Sequence, residues 1–180
     1  MTLDDFLAWE VRQELRYEFD GIGPVVRPDE TVGHVQIQMN LYGQLHQALR
    51  GSRCRMFSSS MKIQVAGRIR YPDAFVACST YPRDASVIDD PIVVFEVLSP
   101  STARIDRIVK LGEYRDTPSI QRYVMLEQDF QAAIVLTRNG NDWVTTAVDA
   151  DGTLSLPEIE VELPLADLYE GIEMPDDSVG

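Results

Sequence analysis

The spacing of apolar and polar positions sets out helices and strands in alternation along the chain. Thr2, with Asp5 three residues on, has the form of an N-cap, and Phe6, Leu7 and Trp9 give the short helix behind it a buried face. Residues 15–20 (LRYEFD) and 24–27 (PVVR) flank Gly21 and Gly23 and predict a hairpin. From Gly33 to Arg50, Val35, Ile37, Leu41, Leu45, Ala48 and Leu49 recur at near-helical spacing, and Gly51 is placed to end that helix. Three strand-like runs follow, Arg55–Phe57, Met61–Val65 and Ile69–Cys78, and turn-rich residues 82–90 separate them from the run Ile92–Leu98. Pro100 discourages continuation of that strand, and Ser101 or Thr102 can cap a helix over about Ala103–Arg115, which stops before Pro118. Strands are expected at Gln121–Glu127 and Ala132–Arg138, then, past the turn Asn139-Gly140-Asn141, at Asp142–Val148. Asp149–Gly152 reads as a turn and Leu165–Tyr169 as a last short helix. The expected class is α/β (α+β), a mixed β-sheet flanked by helices.

Composition narrows the picture. With 180 residues, 44% hydrophobic and 25% charged, the chain has the makings of a folded domain with a substantial core. It shows no internal repeat, low-complexity tract or linker, so one domain over residues 1–173 is expected, with a flexible acidic tail at 174–180. No apolar stretch approaches the roughly 20 residues that span a bilayer. The first ten residues carry acids where a signal peptide would carry lysines, which points to a cytoplasmic protein without a membrane partner. Cys54 and Cys78 are too few for a disulfide framework or a four-ligand zinc site and are read as buried apolar residues. With only His34 and His46 besides, any metal here would be a hard ion held by oxygen.

The formal charge of −13 argues at first against a polyanionic partner, but it is unevenly spread. Residues 1–30 carry −5, residues 73–125 carry −2 and residues 126–180 carry −12. Residues 31–72 carry +6, with no acid among Arg50, Arg53, Arg55, Lys62, Arg68 and Arg70. This basic stretch, running up to Asp73, is either a phosphate-facing surface or a set of solvated charges on strand edges and a helix end.

Two acids stand out. Glu96 lies inside Pro91-Ile-Val-Val-Phe-Glu-Val-Leu98, a run apolar on both faces and so expected at the centre of its sheet. An ionised carboxylate there is costly unless a cation or hydrogen-bond donors satisfy it. A structural ion pair with an arginine, or a strand-end position open to water, would serve as well as a functional site. Asp73 follows Pro72, which cannot donate to a sheet ladder, so it falls where pairing begins or a bulge occurs. A turn Asp bonded to its own backbone is the alternative. If the two strands pair side by side the carboxylates converge, and a divalent cation such as Mg²⁺ would relieve their repulsion. Asp106, Lys110 and Tyr114, spaced i, i+4, i+8, share a helix face; a solvated Asp–Lys pair competes with a Lys110 that leans back into the site.

Taken in order, RYEFDG at 16–21, His34 opening a helix, YPDAFVAC at 71–78, VVFEVLSPST at 93–102, DRIVKLGEYR at 106–115 and LPLADLYEG at 163–171 resemble the Uma-two family of restriction-endonuclease-like domains in the PD-(D/E)xK nuclease superfamily. The resemblance covers nearly the whole chain. It implies a nuclease core with a Mg²⁺ site (Mn²⁺ as a substitute), DNA as partner, and Asp73, Glu96 and Lys110 as catalytic residues, with the metal held by Asp73 and Glu96. The superfamily lysine usually stands two residues after the second acid; Leu98 is there instead, and Lys110 on the following helix takes its place. Glu18 resembles the extra acid that such nucleases bring from an N-terminal element to the metal, against the plainer reading of an exposed hairpin charge. His34 reads as a helix-end histidine with a smaller claim to be a ligand. Two rivals stand beside the nuclease: a non-catalytic binding or interaction module that keeps the fold, which Leu98 and the acidic C-terminal third favour, and a structural subunit whose apolar strands bury in a homodimer.

Overall fold

The computed structural model describes residues 1–27, 29–99 and 105–174, the last stretch with its side chains from residue 108 onward. The chain opens with helix α1 (Leu3–Glu10), whose Thr2 and Asp5 form a reciprocal capping box, then the hairpin β1 (Tyr17–Phe19) and β2 (Pro24–Val26). Helix α2 (Val32–Ala48) starts at the Thr31 cap and buries Ile37, Leu41 and Leu45 completely. Each such side chain contributes roughly 1.5–3 kcal/mol. Gly51, at φ +79°, follows the helix end in the left-handed conformation that glycine adopts without strain.

Strands β3 (Arg55–Ser58), β4 (Lys62–Val65), β5 (Arg68–Arg70) and β6 (Ala74–Ala77) follow. The single strand expected over Ile69–Cys78 is therefore two strands, and they belong to different sheets. One sheet runs β2-β1-β5-β4-β7, with β7 at Val87–Ile88; the other runs β11-β10-β9-β8-β6-β3. The chain crosses between them at Tyr71-Pro72-Asp73, where proline interrupts the ladder. β8 (Val93–Leu98) is buried at every position and lies between β6, antiparallel, and β9 (Arg122–Glu127), parallel, as its two apolar faces require.

Val93, Phe95 and Val97 face one core with α2, and Val94 and Leu98 face another that holds Ile63, Ile88, Tyr114 and Tyr123. The connection from β8 to β9 contains a π-helical segment (Ile105–Lys110) running into α3 (Leu111–Arg115). The expected cap at Ser101 or Thr102, the helix start at Ala103 and the side chain of Asp106 lie outside the described residues, as do residues 175–180 of the expected acidic tail. β10 (Ala133–Asn139) and β11 (Asp142–Val148) complete the larger sheet. Residues 153–164, to which the pattern assigns no element, form the hairpin β12 (Thr153–Leu156) and β13 (Val161–Pro164). Their alternate residues Leu154, Leu156, Val161 and Leu163 join the first core, and α4 (Leu165–Leu168) closes it. Among the described residues, no helix is long and apolar enough to cross a membrane.

Two expectations are corrected here. Cys54 and Cys78 form a disulfide, with Cα atoms 3.9 Å apart. The β3–β6 register pairs Arg55 with Ala77, so the residues just outside it face one another across the pair. The basic stretch is not wholly a surface, because Lys62 and Arg70 are buried against carboxylates. Lys62 meets Glu10 at 2.6 Å, and Arg70 meets Glu113 and Glu18.

Candidate active site

The sheet crossing places Asp73 at a ladder end. The β6–β8 pairing reaches Ala74 opposite Phe95, and continuing that register sets Asp73 opposite Glu96. Beyond Ala74, the Asp73 Oδ2 atom accepts the Val97 N–H at 2.6 Å, in place of a main-chain carbonyl. The Asp73 carbonyl instead accepts the Tyr42 hydroxyl at 2.7 Å. Pro72 explains why a side chain substitutes here: regular pairing stops at it.

The Asp73 Oδ1 atom turns toward α2, where the Gln38 amide nitrogen lies at 2.7 Å and His34 Nε2 at 3.0 Å. All three side chains are buried. Burial alone would push the Asp73 carboxyl upward, but the bond and charge of His34, the Val97 N–H and the charge of Lys110 together hold it below its ordinary value. Burial likewise works to lower His34, and Asp73 outweighs it, so the imidazole titrates above its usual range.

Glu96 is 4% exposed. Its Oε1 accepts the Lys110 ammonium at 2.8 Å and the Tyr114 hydroxyl at 3.0 Å. The i, i+4 spacing of Lys110 and Tyr114 thus converges on one carboxylate oxygen, and Lys110 is no solvated surface cation: it is 7% exposed. Its ammonium also stands 4.0 Å from Glu18 Oε1.

Glu18 is held on both oxygens, by the Tyr71 N–H at 3.0 Å and by Arg70 at 3.0 Å. It is buried, not the exposed hairpin charge that its strand suggests. Burial would raise its carboxyl, and the charges of Lys110 and Arg70 bring it below the usual range. Arg70 grips Glu113 with two bonds, at 2.6 and 2.7 Å, in the fork geometry of a guanidinium. Glu113 precedes Tyr114 on α3, so Arg70 ties the Glu18 strand to α3, which carries Tyr114 and continues directly from Lys110.

The structure therefore brings Lys110 onto Glu96 and near Glu18, and places Asp73 at the adjoining ladder end. Among the described residues, the group of three or more His, Cys, Asp or Glu side chains with ligand atoms all within 4.8 Å of one another is Glu30, His34 and Asp73. Glu18, Asp73 and Glu96 do not make a group that tight. The site also includes Gln38, Glu30, Arg70 and Glu113, which are not among the residues the sequence pattern singles out. For Gln38 a signal existed: His34 and Gln38, four residues apart, interrupt the stripe of Ile37, Leu41 and Leu45 with buried polar groups. For Glu30, Arg70 and Glu113 no local pattern marks the long-range contacts.

The Uma2 family, whose description reads "Putative restriction endonuclease", matches residues 3–166. An uncharacterized protein of Synechocystis sp., slr1290, is 29% identical over 178 residues, covering 96% of this chain and 93% of its own. A second from that organism, sll1609, is 27% identical over 133 residues, covering 71% and 75%. A crystal structure from Anabaena variabilis, described as "a putative nuclease belonging to DUF820", superposes with TM-score 0.78 at 21% identity, over 94% of this chain and 97% of that one. That likeness shows that the two share a fold.

Proposed function

The chain belongs to the Uma2 family, and from that premise we propose that it is a divalent-metal-dependent nuclease that hydrolyses DNA phosphodiester bonds at a centre of Asp73, Glu96 and Lys110. The reading is supported by two buried acids, Glu96 within β8 and Asp73 just before β6, where the β6–β8 register if continued would set it opposite Glu96, with buried Lys110 bonded to Glu96. A buried carboxylate pair beside a cation costs stability that a packed apolar cluster would not, which favours a chemical role.

By donor chemistry the residues fit a Mg²⁺ or Mn²⁺ ion: Glu96 on β8 and Asp73 just before β6 would offer hard carboxylate oxygens. Such an ion, when bound, supplies Lewis-acid polarisation of a phosphoryl oxygen and a lower pKa for a coordinated water. Lys110, a three-donor cation at Glu96, orients the attacking water and offsets charge that develops on the phosphoryl oxygens. Tyr114 holds Glu96 in place. Glu18 enters as a third carboxylate of the centre through its approach to Lys110; its direct contact with an ion requires that the Arg70 or Tyr71 contact yield.

Purified protein with Mg²⁺ or Mn²⁺ is expected to nick supercoiled plasmid, and Asp73→Ala to leave it intact; unchanged nicking by that variant rejects the reading. A second reading, a binding module that retains the fold, draws support from Asp73 itself, whose Oδ2 already accepts the Val97 N–H and whose Oδ1 lies within hydrogen-bond distance of Gln38 and His34. Calorimetry separates the two, because absence of heat at millimolar Mn²⁺ favours the module.

A further inference from the structure

Four polar groups meet where α2 begins: the carboxylates of Glu30 and Asp73, the His34 imidazole and the Gln38 amide. The Gln38 amide nitrogen lies 3.3 Å from Glu30 Oε1, 3.0 Å from His34 Nε2 and 2.7 Å from Asp73 Oδ1. His34 Nε2 and Asp73 Oδ1 are 3.0 Å apart. His34, Gln38 and Asp73 are buried; Glu30 is at the rim, where Arg27 reaches it at 3.3 Å in a half-exposed pair.

No placement of protons satisfies all of these contacts. With a proton on His34 Nε2, the ring donates to Asp73 but meets the Gln38 amide donor to donor. With that nitrogen bare, it accepts from Gln38 but faces the Asp73 oxygen acceptor to acceptor. Turning the amide over, a choice fixed only by its neighbours, sets its oxygen 2.7 Å from a carboxylate oxygen. A cation among them reconciles all four, since the bare imidazole nitrogen, two carboxylate oxygens and the amide oxygen can each direct a lone pair at it. Separations of this size are those of neighbouring ligands on an octahedron with bonds of about 2.1 Å, whose edges are roughly 3 Å.

We propose that Glu30, His34, Gln38 and Asp73 form a mixed nitrogen–oxygen site for a divalent ion of the Mn²⁺ type, with His34 Nε2 as a direct ligand and the Gln38 amide oxygen turned toward the ion. The imidazole sets the preference. Mg²⁺ favours oxygen donors and its own waters, so a nitrogen ligand among carboxylates shifts the balance from Mg²⁺ toward a first-row transition ion, of which Mn²⁺ keeps the affinity for carboxylate oxygens. The ligands come preassembled: the Thr31 hydroxyl accepts the His34 N–H at 3.2 Å and fixes the first turn of α2, and one further turn places Gln38 beside His34. The site shares Asp73 with the proposed nuclease centre and rests on that reading for the role of this one residue in cleavage. Ion binding is measured without it.

The test is Mn²⁺ titration of the whole protein by electron paramagnetic resonance, with pulsed measurement of ¹⁴N coupling and Mg²⁺ competition. Wild type, His34→Gln and Glu30→Gln are compared after circular dichroism confirms each fold; Glu30 is exposed, so its variant is safe in that respect. Wild type is expected to bind Mn²⁺ with a nitrogen coupling. His34→Gln should abolish the coupling and weaken Mn²⁺ roughly tenfold or more, with a smaller effect on Mg²⁺. Glu30→Gln should weaken Mn²⁺ and keep the coupling. Bound Mn²⁺ without nitrogen coupling, at an affinity His34→Gln does not change, overturns this site while the Asp73–Glu96 centre stands. No Mn²⁺ bound at millimolar concentration overturns both.

Discussion

Replacing Arg70 with methionine isolates the link between the β1–β5 region and α3. Arg70 is 3% exposed, and its guanidinium makes two bonds to Glu113 and one to Glu18, both buried. Removing one partner of a buried ion pair leaves the other charge stranded, at a cost of about 3–5 kcal/mol. Arg68 also reaches Glu113, at 3.2 Å from a side chain 37% exposed, and offsets part of the loss. The lower end, about 3 kcal/mol, is therefore expected, equivalent to a fall in Tm of roughly 6–12 °C for a chain of this size. Urea denaturation at neutral pH measures it, and Arg70→Met/Glu113→Gln should recover part of the loss by removing one stranded charge. The pH dependence gives an independent check. Glu18 has its folded pKa depressed below the ordinary 4.5, so its contribution is complete above that value and lost as pH falls through the depressed one. The gap between wild type and Arg70→Met should thus be widest near neutrality and narrow below pH 4.5. A loss under about 1 kcal/mol, or a gap constant through the acid range, refutes the reasoning.

Three further outcomes are expected. Lys110→Met should lower DNA cleavage by about a hundredfold or more while Mn²⁺ affinity holds or rises, because a competing cation has gone; undiminished cleavage removes Lys110 from the chemistry. Tyr114→Phe deletes the hydroxyl bonded to Glu96 and should cost roughly 1–3 kcal/mol by urea denaturation, with no loss showing that the hydroxyl is dispensable to that carboxylate. Reduction of the Cys54–Cys78 bond, which closes a separation of 24 residues, should destabilise the protein by about 3 kcal/mol; an unchanged midpoint in reductant refutes this.

Much of the fold is legible in local pattern. The Thr2 cap, the α2 stripe, the β10–β11 hairpin at Asn139-Gly140 and the central place of β8 each follow from the spacing of a few neighbouring residues. The β12–β13 hairpin is not among the elements read from the pattern, because its alternation of Leu154, Leu156, Val161 and Leu163 is spread over strands only four residues long. Of the site, Asp73 and Glu96 could be singled out because each breaks a local rule, one following proline at a strand start and the other sitting as a charge in an apolar strand. Lys110 and Tyr114 could be placed on one face, but not on one oxygen.

The sequence by itself determined the order and kind of the main elements and the two positions where an acid is costly. These depend on periodicity, capping and the missing proline N–H, all set within a few residues. Only the tertiary structure decided that Ile69–Cys78 divides between two sheets, that Lys62 and Arg70 are buried rather than displayed, that Cys54 and Cys78 are bonded, and that Glu30, His34 and Gln38 gather at Asp73. Those contacts join residues 24 to 53 positions apart, such as Asp73 with Val97, Gln38 with Asp73, and Tyr71 with Glu18. Burial and sheet pairing create such proximities, and a charged residue looks the same in sequence whether water or a buried counter-charge awaits it.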